Sequence, residues 1–157
     1  MYHNGKKVNA VLPTVGIENF INFLKSLDRP VILVAHNCFN FDGPLIVGLI
    51  DRIGELENFN NIVAGFSDSL PLLRKALPDR RKKGQGYRLM VLAQEYLGSC
   101  ANAHNAVADT TMIENIVKLP SVDITANDFV DTRKSVADMR HKFICRVNDF
   151  KQSLRFF

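Results

Sequence analysis

The sequence predicts an α/β domain. The run Val31–Ala35 is apolar without polar alternation, as a strand covered on both faces should be. A second short apolar run stands at residues 62–66, and stripes of helical spacing lie before, between and after the two. Alternation of this kind is the pattern of helices packed on a sheet. The 157 residues suit one domain with a sizeable core. Apolar content of 46% and charged content of 23% are ordinary for a globular chain. The longest apolar run is too short to span a bilayer, so no membrane association is expected. The N-terminal residues carry no apolar signal-peptide core. Cys38, Cys100 and Cys145 are scattered without CxxC spacing and read as free thiols of a reducing compartment, the cytoplasm or the nucleus. A formal charge of +4 and a pI near 9.1 permit nucleic-acid binding without demonstrating it.

Taken in order, Asn4 and Gly5 form a turn, and residues 8–12 a short strand ended by Pro13. Thr14 is placed to cap a helix whose apolar stripe is Ile17, Phe20, Ile21, Leu24 and Leu27. Asp28, Arg29 and Pro30 break it before the strand at Val31. That strand runs into His36, Asn37, Cys38, Phe39, Asn40, Phe41 and Asp42, polar at the end where open α/β sheets place their ligands. Asp42 falls on the first turn of the next helix, with Pro44 well placed for helix initiation. Residues 54–61 are polar and read as loop. Asp68 follows the second strand and reads as the N-cap of a helix with Leu70, Leu72, Leu73, Ala76 and Leu77 behind it; a metal ligand is the other reading. Arg80, Arg81, Lys82 and Lys83 with Gly84 and Gly86 form a basic, glycine-containing loop, either a solvated charge run or a phosphate-contacting edge. Residues 87–97 form a helix that Gly98 can end. Residues 105–119 form another, with Val107, Ile113, Ile116 and Val117 inward and Pro120 as its stop.

After Pro120 the character changes. Val136, Met139, Phe143, Val147, Phe150, Leu154 and Phe157 recur at three- and four-residue steps, an amphipathic helix. Packing on its own domain is the default for such a helix; docking on a protein partner or on a second copy is the alternative. The domain division is therefore residues 1–120, then a helical extension over residues 121–157.

Two segments carry chemistry. Asn37 to Asp42 is an Asn followed shortly by Phe-Asp, and His104 to Asp109 is His-x-x-x-x-Asp at a helix start. In order, they resemble the second and third motifs of the DEDDh (DnaQ-like) 3′-5′ exonucleases. Phe66 to Leu70 and Tyr87 to Leu97 resemble the middle of the three-prime repair exonucleases and of the exonuclease-like C-terminal domains of promyelocytic leukaemia proteins. The resemblance covers about residues 8–118. It implies a ribonuclease-H-like three-layer fold with a mixed sheet flanked by helices. It implies hydrolysis of DNA or RNA from the 3′ end with two Mg²⁺ (or Mn²⁺) ions. In that scheme Asp42 and Asp109 are metal ligands, His104 takes the proton from water, and Arg80 to Lys83 lead the strand by its phosphates. The family's first motif, Asp-x-Glu on the first strand, occurs nowhere in this sequence. At most one of about three strands that relatives carry before the first helix is present. The expectation is an N-terminally incomplete domain with impaired hydrolysis, or a non-catalytic nucleic-acid- or protein-binding module derived from an exonuclease.

Overall fold

Pro13 opens the first long helix, where a missing N–H costs nothing. The computed structural model describes residues 10–100 and 105–153, together with the backbone of residues 2–3 and 6–7. Strands β1 (Tyr2–His3) and β2 (Lys6–Lys7) pair antiparallel, Tyr2 opposite Lys7. The turn expected at Asn4 and Gly5 lies outside the described residues. Helix α1 (Pro13–Ser26) follows a stretch without regular structure at residues 10–12. The strand expected over residues 8–12 is therefore not formed in its described part, and Leu12, not Thr14, holds the N-cap position without a side-chain bond. Ile21 and Leu24 are buried, and Ile17, Phe20 and Leu27 pack against the same core, as the stripe requires.

Strand β3 (Val31–Ala35) and strand β4 (Val63–Asp68) form a two-stranded parallel sheet, with Ala35 opposite Asp68. Between them run a 3-10 turn (Cys38–Asn40), α2 (Asp42–Arg52) and α3 (Leu56–Asn60). The α3 segment corrects the expected loop at residues 54–61. Its polar composition hides Phe59, which is fully buried and sits 6.2 Å from the Phe66 ring. After β4 come α4 (Ser69–Ala76), α5 (Pro78–Lys82), α6 (Leu89–Leu97), α7 (Ala106–Val117), α8 (Ala126–Asp131) and α9 (Val136–Ser153). Gly98 ends α6 at φ 73°, the left-handed region that glycine enters without penalty. The architecture is thus mixed, mostly helical, around a small parallel sheet.

Two apolar cores result. One joins α1, α2, α3 and both long strands to Val136 and Met139 of α9. The other joins Leu73 of α4, Leu92 and Ala93 of α6, Met112 and Ile116 of α7, and Val122. The helical region after residue 120 therefore contributes directly to the larger core. Helix α9 crosses α2 closely: a Cβ on Gly48 would lie 2.5 Å from the Phe143 ring, so any larger residue there would have to push that ring aside. Arg140 Nε reaches Asp51 Oδ2 at 2.8 Å on the same side. Beyond this crossing Phe150 is 65% exposed, and the last residues of the sequence stripe, Leu154 and Phe157, lie outside the described residues.

Full cover was expected for β3, but none of its five residues is fully buried and Val34 is 40% exposed. Among the described residues, β3 pairs along one edge only, and an apolar groove of about 440 Å³ opens between α1 and α2 onto Leu33 and Val34. The far edge of β4 is closed: Phe66 and Lys134 exchange two backbone hydrogen bonds at 2.8 Å in an antiparallel bridge.

Candidate functional site

The segment leaving β3 is held by a carboxylate. Asp68 ends β4 beside Ala35, is 2% exposed, and reaches across the strand ends. Its Oδ1 accepts from the backbone N–H of Asn37 at 2.8 Å and of Leu70 at 2.9 Å; its Oδ2 accepts from Phe39 N–H at 3.1 Å. The Leu70 bond is the helix N-cap expected from the sequence. The other two bonds fix a turn in which Asn37 sits at φ 64°, a conformation that asparagine tolerates better than most residues. Asn40 N–H closes this turn onto Asn37 O at 3.1 Å, and Asn40 Nδ2 donates to Asn37 Oδ1.

His36 ties the same turn to the polypeptide after α5. Its Nε2 lies 2.8 Å from the Tyr87 carbonyl, which only accepts, so Nε2 carries the proton. Its Nδ1 then accepts from the Ser69 hydroxyl at 3.0 Å. Burial pushes the imidazole below its ordinary value of 6.5; the Tyr87 carbonyl and Asp68 act upward, and Arg74 downward. The folded chain therefore resists a proton that the unfolded chain accepts near 6.5, so stability falls as pH drops through 6.5 towards the lowered value. His36→Gln has no such titration. Thermal unfolding of both proteins between about pH 7.5 and 5 should show the stability advantage of the parent shrinking on acidification. A constant gap across that range would show that His36 is not held neutral.

Around this histidine lies a cavity of about 520 Å³ lined by His36, Asn37, Arg74, Tyr87, Arg88 and Asp109, with an apolar floor that includes Leu70 and Leu89. Asp109 comes from the first turn of α7, whose N-cap Asn105 accepts from Val107 and Ala108 N–H at 3.0 and 3.3 Å. Asp109 is half-buried and shares a helix face with Met112 and Ile116. That register turns Val107 out to 76% exposure and corrects its assignment to the core.

Asp42 opens α2 and lines the apolar groove with Ala35 and Cys38, not the cavity that holds Asp109. Both carboxylates therefore border the segment that leaves β3, on separate cavities. Partial burial raises the Asp42 carboxyl above its ordinary value; its own backbone N–H opposes this, and Asp68 adds to it. Among the described residues, no group of three or more His, Cys, Asp or Glu could hold a metal ion. His104 lies outside the described residues. Burial first, then Asp42 and Asp68, push the Cys38 thiol up to about 12, so it is no nucleophile at neutral pH.

The basic run is not a loop. Arg80, Arg81 and Lys82 form the last turn of α5, started by Pro78, and Lys83 follows as its C-cap. Arg80 turns inward and is 4% exposed. Its guanidinium lies 5.8 Å from the Tyr87 ring centroid and 5.7 Å from that of Tyr96. Its Nη2 donates to Gly86 O at 3.0 Å, and its Nη1 meets Glu95 Oε1 at 2.6 Å as an ion-pair contact rather than a well-directed hydrogen bond. Arg81, Lys82 and Lys83 remain exposed.

Sequence reasoning assigned no role to His36, Arg74, Tyr87 or Arg88. Their signal was local: His36 ends the apolar strand, and Tyr87 and Arg88 follow the glycine at 86.

No family model matches the chain. It is similar to Protein PML of Homo sapiens, 28% identical over 116 residues that make up 72% of this chain and 12% of the relative. It is likewise similar to Protein PML of Mus musculus, 26% identical over 107 residues, 68% of this chain and 12% of the relative. The chain thus spans about an eighth of the length of these curated relatives and is linked to them by partial similarity.

Proposed function

We propose that this chain is an exonuclease-like module on a ribonuclease-H-like plan, which holds the 3′ end of a DNA or RNA strand in the nucleus or cytoplasm and hydrolyses it slowly or not at all. The observation that carries this reading is the cavity beyond the C-terminal end of β3. It combines two guanidinium groups, an aromatic ring, a neutral imidazole and the Asp109 carboxylate. Cations suit phosphate, and a tyrosine face suits an unstacked base. In the exonuclease scheme Asp42 and Asp109 would hold Mg²⁺ or Mn²⁺ and His104 would serve as the base. Asp42 and Asp109 line separate cavities and the residues of this sequence carry no Asp-x-Glu beside them, so weak metal affinity and poor turnover are expected of this set. The test uses a fluorescent oligonucleotide with a free 3′ end. The parent should bind it and leave it intact in Mg²⁺, while Arg74→Gln with Arg88→Gln weakens binding about tenfold. Failure of the parent to bind, or equal binding by the double variant, would overturn the reading. Clear shortening abolished by His104→Ala would establish catalysis instead.

A further inference from the structure

A second basic stretch, besides the run at α5, lies on α9 and the turn before it. Between residues 133 and 153 six lysines and arginines stand against Asp138 and Asp149, an excess as large as the +4 of the whole chain. Asp138 is committed to the start of α9, where it accepts from Ser135 N–H at 2.8 Å and from Ser135 Oγ at 2.7 Å. Three of the cations converge on one feature, the turn Cys38–Asn40 that leads into Asp42. Lys142 Nζ donates to Phe39 O at 3.1 Å and lies 3.4 Å from Asn40 Oδ1. Arg146 Nη2 donates to Asn40 O. Lys134 Nζ lies 4.8 Å from the Phe39 ring centroid, and Lys142 Nζ lies 6.0 Å from it. The partners of Lys142 and Arg146 among the described residues are carbonyls and an amide, which neutralise no charge, while Lys134 lies over the Phe39 ring and within electrostatic reach of Asp138. Cations held side by side on one rim, two of them bonded to neutral acceptors, suit mobile phosphates.

We infer that Lys134, Lys142 and Arg146 form a phosphate-contacting rim that carries the nucleic-acid backbone past the turn Cys38–Asn40. This rests on the function proposed above and names the surface that leads the strand to that site. It transfers to α9 the role that the sequence suggested for α5, where Arg80 is buried and only Arg81, Lys82 and Lys83 face solvent.

The experiment titrates a fluorescent single-stranded oligonucleotide at several salt concentrations against three full-length proteins. These are the parent, Lys134→Gln with Lys142→Gln and Arg146→Gln, and Arg81→Gln with Lys82→Gln and Lys83→Gln. Glutamine retains an amide donor for the carbonyls of the turn. The α9 variant should flatten the log–log salt slope by about 2 units and weaken binding at least about tenfold, given roughly 0.7 per phosphate contact on single strands. The α5 variant should keep most of the slope. Thermal unfolding checks each fold; if the triple variant unfolds, Lys134→Gln alone, whose side chain makes no hydrogen bond to the turn among the described residues and lies over the Phe39 ring, should flatten the slope by about 0.7. Lys142→Arg with Arg146→Lys, which keeps both charges, should preserve it. A parent that binds while the α9 variant matches its slope, or a loss of slope confined to the α5 variant, overturns this inference and leaves the proposed function standing. A parent that binds no oligonucleotide, or binds only vesicles of anionic phospholipid, overturns both.

Discussion

Arg80→Ala should lower the unfolding free energy by about 3 kcal/mol, while Arg81→Ala, Lys82→Ala and Lys83→Ala should each stay within about 0.5 kcal/mol of the parent. The four cations are consecutive in sequence and differ only in where α5 points them. Arg80 is enclosed by two tyrosine rings, the Gly86 carbonyl and the Glu95 carboxylate. Its removal strips a partly covered carboxylate of its partner, leaves Gly86 O without its donor and opens space between the rings. Lys82 pairs with Asp79 at 2.9 Å, on side chains 77% and 72% exposed, where an ion pair contributes little. Urea denaturation of the four single variants separates the cases. Because Gly86 and Tyr87 also line the cavity, Arg80→Ala should loosen that wall as well, so a quadruple alanine variant would confound stability with binding. An Arg80→Ala protein as stable as its neighbours' variants would return Arg80 to the exposed charge run.

Several elements that local chemistry decides were visible in the sequence, though the Thr14 cap and the described part of the strand at residues 8–12 do not form. Val31–Ala35, the start of α2 at Asp42, the Asp68 cap and the Gly98 stop stand where short-range signals put them. What was not legible depends on which way a face turns. The four charges from Arg80 to Lys83 look alike until a tyrosine on each side claims the first. Residues 54–61 look like loop because a five-residue helix anchored by Leu56 and Phe59 is too short to show a stripe. Val107 looks apolar enough for a core, yet the face of α7 is set by Asp109, Met112 and Ile116. The same limit applies to the site. The segment from His36 to Asp42 was evident as a place where chemistry gathers. Its division between two cavities, one holding Asp109 and the other Asp42, is a matter of three-dimensional packing.

Asp68→Ala should be the most damaging single change at the site itself, costing about 3–5 kcal/mol. One carboxylate serves three backbone N–H groups from two separate segments, Asn37 and Phe39 after β3 and Leu70 in α4. At 2% exposure water cannot replace it, so alanine would leave three donors without an acceptor where the strands end. Asp68→Asn discriminates between a role in shape and a role in charge. An amide oxygen in the place of Oδ1 still accepts from Asn37 and Leu70, but its NH₂ group would face Phe39 N–H, donor against donor. The expected cost of asparagine is therefore intermediate, about 1–2 kcal/mol. The two variants should also differ in oligonucleotide binding. Asparagine retains the Asn37 anchor and should bind nearly as the parent does. Alanine releases the turn Cys38–Asn40 and with it the acceptors of Lys142 and Arg146, so binding should weaken even where the protein remains folded. Denaturation and oligonucleotide titration of both variants decide the matter; an Asp68→Ala protein that keeps both stability and affinity would show that the turn is held by α9 alone.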